Sequence, residues 1–177
     1  CHIDFIGKLD CNQTCFRLNR ILPADICCNH IEEVNSDLHA RFSANSRTYR
    51  YFIHTRKIPF SRYYSVEMTY PLNFNAMNEA AAYLLEVTDF KAFCKAGADN
   101  KTTLCHITKA QWIKQDEDCW YFEITSNRFL RNMVRAIVGT LINVGRGQLS
   151  FDDFKNIVNY GSRSDSGESM PAHGLFL

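Results

Sequence analysis

Apolar residues in the stretch 127–147, NRFLRNMVRAIVGTLINVGRG, return at helical spacing. Phe129, Leu130, Met133, Val134, Ile137, Val138, Leu141 and Ile142 form one broad face, as a core-facing helix requires. Arg128, Arg131 and Arg135 fall on a narrow band at its edge. Asn127 is placed to cap the start, and Gly145 and Gly147 to close the stretch. Gly139 lies mid-helix, where glycine costs about 1 kcal/mol against alanine. That cost suggests close packing against another backbone.

Residues 47–55 alternate with period two. Tyr49, Tyr51 and Ile53 share one face, and Arg50, Phe52 and His54 the other, the signature of a strand. Alternation in 103–113 and 119–125, joined by the charged turn 114–118, predicts an antiparallel hairpin. Helices are expected over 75–85, capped by Asn73 or Asn75, and over 151–160. In the latter, Ser150 followed by Asp153 reads as a weaker form of the capping box. A short helix is expected over 12–19 with Phe16 inward. Weaker patterns predict strands at 2–6 and 26–34, and a last strand within 171–177. Residues 89–93, DFKAF, read as a turn packed by two phenylalanines. Residues 57–70 cross the surface irregularly. Residues 97–101 and 161–169 read as polar, flexible loops. The order predicts an α+β fold: a mostly antiparallel or mixed sheet with helices packed on one side.

The chain of 177 residues is 46% hydrophobic and 22% charged, enough for one good core in a soluble domain. No apolar run approaches membrane length, and the opening CHIDFIGKLD carries no secretory pattern. The 8 cysteines include no CxxC pair. Cys27, Cys94, Cys105 and Cys119 sit among apolar neighbours and read as small buried hydrophobes. Reduced thiols and a cytoplasmic location are expected.

Net charge is only +1, but its distribution is uneven. Between Leu38 and Val66 there is no acid, while Arg41, Arg47, Arg50, Arg56, Lys57 and Arg62 fall inside; between Ile124 and Phe151 there is again none, with Arg128, Arg131, Arg135 and Arg146 inside. Acids collect in 32–37 and 116–118. Such segregation fits a basic face for nucleic acid, or arginines dressing a solvated surface.

None of the six histidines forms an HxxxH or HExxH pattern, so no metal is expected. No GxGxxG, Walker or GxSxG motif is present, which leaves no sequence sign of a dinucleotide fold or a hydrolase elbow. The aromatic and basic strand is the stronger candidate. An exposed tyrosine can stack on a base, and nearby arginines can neutralise phosphates. The competing reading is a sheet face whose tyrosines are core.

Four separated segments carry a resemblance: LHARFSANSRTYRYFI, DFKAF, the 127–147 stretch and PAHGLFL. In that order they resemble the tRNA pseudouridine synthase A family over nearly the whole chain. The resemblance implies a two-lobed α+β pseudouridine synthase fold. It implies an enzyme that isomerises uridines at positions 38 to 40 of the tRNA anticodon arm. It also implies no metal or organic cofactor, tRNA as partner, no membrane, and a homodimer at full length. The family nucleophile is an aspartate in a GRTDxGVHA-like segment, which this sequence lacks. The chain is therefore expected to be the C-terminal portion of a synthase, a single α+β domain over 1–177 with 1–25 a residual connection to an N-terminal lobe. By itself it is expected to be inactive. Asp4 and Asp25 match no nucleophile context.

Residue by residue, the resemblance makes Tyr49 the tyrosine that stacks on the target base, and Arg135 the arginine that pairs with the nucleophilic carboxylate. His39, Arg41 and Phe42 match the segment bordering the RNA cleft. Arg47, Arg50, Arg128 and Arg131 are expected to contact nucleic acid. Phe129 and Met133 match positions near the pocket, or plain core packing. The alternatives are a stand-alone or degenerate RNA-binding domain that never had a nucleophile, and a protein-interaction domain.

Overall fold

The computed structural model describes residues 1–95, 97 and 101–177. They form two compact units, Cys1–Ala44 and Asn45–Leu177. Of the expected loop at 97–101, residues 98–100 lie outside the described residues.

The second unit is built on a five-stranded mixed sheet. Its strands are β1 (Arg47–His54), β2 (Val66–Glu67), β3 (Ile107–Lys114), β4 (Cys119–Ser126) and β5 (Leu175–Phe176). The order is β2-β1-β4-β3, with β5 also pairing β1. β1 is antiparallel to β4 and β5 and parallel to β2. β3 and β4 form the expected hairpin. Asp116 Oδ1 closes its turn by accepting from the backbone N–H groups of Asp118 and Cys119, at 3.0 and 2.9 Å. These hydrogen bonds, led by that from Asp118, hold the Asp116 carboxyl below the usual aspartate range.

Helices α2 (Phe74–Tyr83), α3 (Met133–Gly145) and α4 (Phe151–Tyr160) cover one side. The core joins Tyr51, Ile53, Phe122 and Ile124 of the sheet to Met77, Ile137, Leu141 and Phe154 of the helices. The expected fold class is the observed one. Asn73 caps α2 by accepting from Ala76 N–H, and Ser150 with Asp153 forms a complete capping box on α4. Phe90 and Phe93 are fully buried beneath the DFKAF turn. Gly139 is where a backbone approaches: a Cβ there would fall 1.9 Å from the carbonyl oxygen of Glu168.

Several expectations are overturned. Helix α3 does not begin at Asn127. The Asn127 side-chain carbonyl accepts from His106 N–H at 2.8 Å, which ties it to the mouth of the hairpin. The helix starts only after Asn132, in the left-handed region at φ 69°. Arg128 and Arg131 therefore precede the helix, and Arg135 alone of the three lies on it. Residues 161–169 are not a loose loop: Ser166 and Gly167 are buried against α3. His54, expected on the outward face, is 2% exposed, with its Nδ1 2.9 Å from Ser65 Oγ. Of the four cysteines expected inside, only Cys105 is buried, and Cys27 is exposed.

The first unit contains α1 (Cys11–Ile21), capped by Asp10. Phe16 on it is exposed, not inward, as are Ile3, Phe5 and Ile6. The strand expected at 2–6 is irregular. So is the one expected at 26–34, where the Asn19 amide takes both backbone groups of Cys28, at 2.7 and 2.8 Å. A backbone occupied by a side chain cannot also enter a ladder.

Candidate active site

Alternation along β1 sends Tyr49 and Tyr51 to the face that α3 covers. Tyr51 is fully buried, and its hydroxyl donates to the Pro171 carbonyl at 2.8 Å. Burial pushes this phenol well above the usual tyrosine range, and the nearby Arg135 charge opposes the rise. Tyr49, two residues earlier on the same face, is half-buried. Its ring meets Phe129 edge to face, with centroids 5.1 Å apart and planes at 83°. Such a contact fixes a ring's tilt while leaving part of its surface open.

Arg135 is the third residue of α3 and is half-buried. Its Nε–H donates to the Met170 carbonyl. In return, the Met170 N–H donates to the Arg135 carbonyl at 3.2 Å. Among the described residues no carboxylate is paired with the guanidinium within 4.0 Å; ion pairs form instead at His30–Glu32, Arg50–Glu123, Arg56–Asp118 and Lys109–Glu123. The result is a cation whose stem is anchored at both backbone and Nε. Its two terminal nitrogens remain to meet an anion in the forked geometry arginine offers.

The segment carrying Met170 folds back over the first turns of α3. Gly167 N–H donates to Thr140 Oγ1 at 2.8 Å, and that hydroxyl donates to the Ala136 carbonyl at 2.9 Å. Asn132 Nδ2 donates to Ser169 Oγ. Arg163 reaches into the same bend. Its Nη1 donates to Ser166 Oγ and the Gly167 carbonyl at 2.8 and 3.1 Å, and its Nη2 to Ser169 Oγ at 2.7 Å. The sequence reading passed over Arg163, Ser169 and Met170. The one signal for them was Gly139, whose missing side chain makes room for this backbone.

The remaining candidates scatter. Arg47 Nη1 donates to the Asn127 carbonyl at 3.5 Å, near the start of β1. Arg128 is half-buried and close enough to Cys105 to oppose the burial that raises that thiol. Arg131 is exposed, and its carbonyl accepts from Lys95 N–H. Arg50 lies on the opposite face of β1 from Tyr49. It pairs with Glu123 at 2.6 Å, whose other oxygen is 2.6 Å from Lys109 Nζ. The hydrogen bonds from Lys109 and Arg50 hold the Glu123 carboxyl below the usual glutamate range, against the effect of burial. A cavity of about 630 Å³ on that opposite face is lined by Arg50, Phe52, Tyr64 and Phe176, among others, and includes neither Tyr49 nor Arg135. Met133 is fully buried in the core, and Phe129 packs against it from a half-buried position. His39, Arg41 and Phe42 belong to the first unit. There the His39 ring lies 4.3 Å from that of Phe42, and the Arg41 guanidinium 5.5 Å from the same phenylalanine. Among the described residues, no group of three His, Cys, Asp or Glu side chains could hold a metal ion.

Residues 80–177 match the family described as tRNA pseudouridine synthase. The tRNA pseudouridine synthase A of Bacteroides fragilis is 49% identical over 177 residues, covering 99% of this chain and 70% of that protein. That of Parabacteroides distasonis is 48% identical over 161 residues, 91% of this chain and 64% of that protein. That of Bacillus subtilis is 36% identical over 178 aligned positions, 99% of this chain and 72% of that protein. The chain thus spans roughly two thirds of the length of these relatives. Together with the half-buried Tyr49 and the anchored Arg135 on one side of the sheet, these matches lead to one statement: the chain belongs to the tRNA pseudouridine synthase A family.

Proposed function

We propose that this chain supplies Tyr49 and Arg135 to a pseudouridine synthase acting on uridines 38 to 40 of the tRNA anticodon arm. The enzyme works as a cytoplasmic homodimer without metal or organic cofactor. The observation that carries the reading is Arg135: a half-buried guanidinium, tied down at Nε, that meets no carboxylate among the described residues. A cation held this way is suited to an anion arriving from elsewhere, because its orientation costs no further reorganisation. In the proposed site that anion is the aspartate of a GRTDxGVHA-like segment outside these 177 residues.

The target uridine leaves the stack and enters the cleft. The aspartate attacks the sugar or the base, and the bond from C1′ to N1 breaks. The ring turns and rejoins C1′ through C5, and the proton on C5 is lost while N1 gains one. The reaction is an isomerisation and consumes no co-substrate. Tyr49, tilted against Phe129, holds the detached ring and assists removal of the proton. Arg135 keeps the carboxylate ionised and in register.

The test uses the full-length enzyme and counts pseudouridine formed on an anticodon-arm RNA. Arg135→Ala leaves the fold intact and lowers turnover by about 100-fold or more, the range seen when one oriented electrostatic partner is removed. Tyr49→Phe keeps the ring and loses the hydroxyl, so its residual rate separates stacking from proton transfer. Wild-type turnover by Arg135→Ala would overturn the assignment. So would pseudouridine formation by residues 1–177 alone, which would mean that the nucleophile lies among them.

A further inference from the structure

Residues 162–169 contain no large apolar side chain, yet Ser166 and Gly167 are buried. Ordering a backbone costs about 1–2 kcal/mol per residue, so polar contacts must hold this bend. Its first turn closes on itself: Asp165 Oδ2 accepts from Ser162 N–H and Oγ–H at 2.7 and 2.8 Å. Thr140 holds the Gly167 N–H from α3, and one side chain makes most of the remaining contacts. The Arg163 guanidinium donates three hydrogen bonds to three acceptors on residues 166, 167 and 169. Ser169 Oγ receives both Arg163 Nη2 and Asn132 Nδ2. One peptide further on, the Met170 carbonyl receives Arg135 Nε.

We propose that Arg163 is a positioning residue for Arg135. It fixes the bend from inside, the bend fixes the Met170 carbonyl, and that carbonyl sets the direction in which the Arg135 terminal nitrogens point. Arg163 touches no reacting atom. Its planar fork matches three acceptors that a point charge on a flexible stem cannot satisfy together. The inference rests on the reading of Arg135 as the partner of the nucleophile.

The experiment measures single-turnover pseudouridine formation by the full-length enzyme at saturating and limiting RNA, with thermal unfolding beside it. Arg163→Met and Arg163→Lys are each expected to lower the saturating rate by roughly 10- to 100-fold, the size of a displacement near 1 Å in a catalytic group. The RNA concentration for half-maximal rate moves less than about 3-fold, because only transition-state orientation is lost. The decisive comparison is made in an Arg135→Lys background, which has no Nε for the Met170 carbonyl to hold. There, Arg163→Met lowers the rate by less than about 3-fold, since two residues acting through one contact are not additive. An equal loss in both backgrounds makes Arg163 merely structural and overturns the proposal. If Arg163→Met does not fold, Ser169→Ala, which removes the shared acceptor alone, decides in the same cycle with an expected loss of roughly 3- to 10-fold. A slow Arg135→Lys with unchanged Arg163 variants defeats this inference only. A wild-type Arg135→Lys defeats the proposed function as well.

Discussion

Gly139→Ala sets two effects against each other. In an unpacked helix the change would be favourable by about 1 kcal/mol. Here the new methyl carbon would stand 1.9 Å from the Glu168 carbonyl oxygen. The oxygen must retreat roughly 1.4 Å to reach ordinary carbon–oxygen contact. Glu168 sits between the Gly167 N–H held by Thr140 and the Met170 peptide held at both ends by Arg135, so the retreat breaks or stretches those bonds. Losing two of them costs about 2 kcal/mol, and the residual overlap adds about 1–3 kcal/mol of strain. After the helix gain is returned, the variant is expected to be less stable by about 2–4 kcal/mol. Urea unfolding followed by the fluorescence of Trp112 and Trp120 reads this directly, and Tm should fall by roughly 4–16 °C. A variant as stable as the parent, or more so, would mean that the 166–170 segment does not press on the helix, and the account of how Arg135 is anchored would fall with it.

Two further outcomes follow from the sheet and from α4. The Glu123 carboxyl is held low by Lys109 and Arg50, so its stabilisation is present above the pKa of an unfolded glutamate. It is lost as pH falls through the lowered folded value. Glu123→Gln should therefore weaken the protein near pH 7, with the gap to the parent closing below about pH 4; urea midpoints across that range check the sign. Ser150→Ala removes the acceptor for Asp153 N–H. It should lower Tm by roughly 2–4 °C, the usual effect of a lost N-cap, while RNA turnover by the full-length enzyme stays unchanged.

What the sequence disclosed is what side-chain periodicity encodes. The α3 stripe, the β1 alternation and the β3–β4 hairpin each bury one face, and burial writes itself into spacing. Gly139 suggested a close backbone because glycine is costly inside a helix. The misses have a common cause. The strands expected at 2–6 and 26–34 needed a ladder partner, which no local pattern specifies. Asn127 read as the cap, but the hairpin claims it, and the helix starts after Asn132 at φ 69°. Arg50 read as a free cation because Glu123, its partner, is 73 residues away. Residues 161–169 read as loose because their order comes from a guanidinium and glycines rather than from apolar groups. The partner of Arg135 Nε is a main-chain carbonyl, and every residue has one, so no residue type could reveal it. The resemblance named the aromatic and basic residues expected at one site; how Tyr49 and Arg135 are held was not legible.

The two carbonyls that steady the site, at Met170 and Pro171, are contributed just ahead of β5. Tyr51 and Pro171 stand 120 residues apart, and Arg135 and Met170 stand 35 apart. During translation, α3 and the sheet can associate while both anchors are still inside the ribosome. A nascent chain therefore carries its guanidinium unaimed until Met170 has emerged, and a half-made polypeptide has no fixed cation against which an acid could be set.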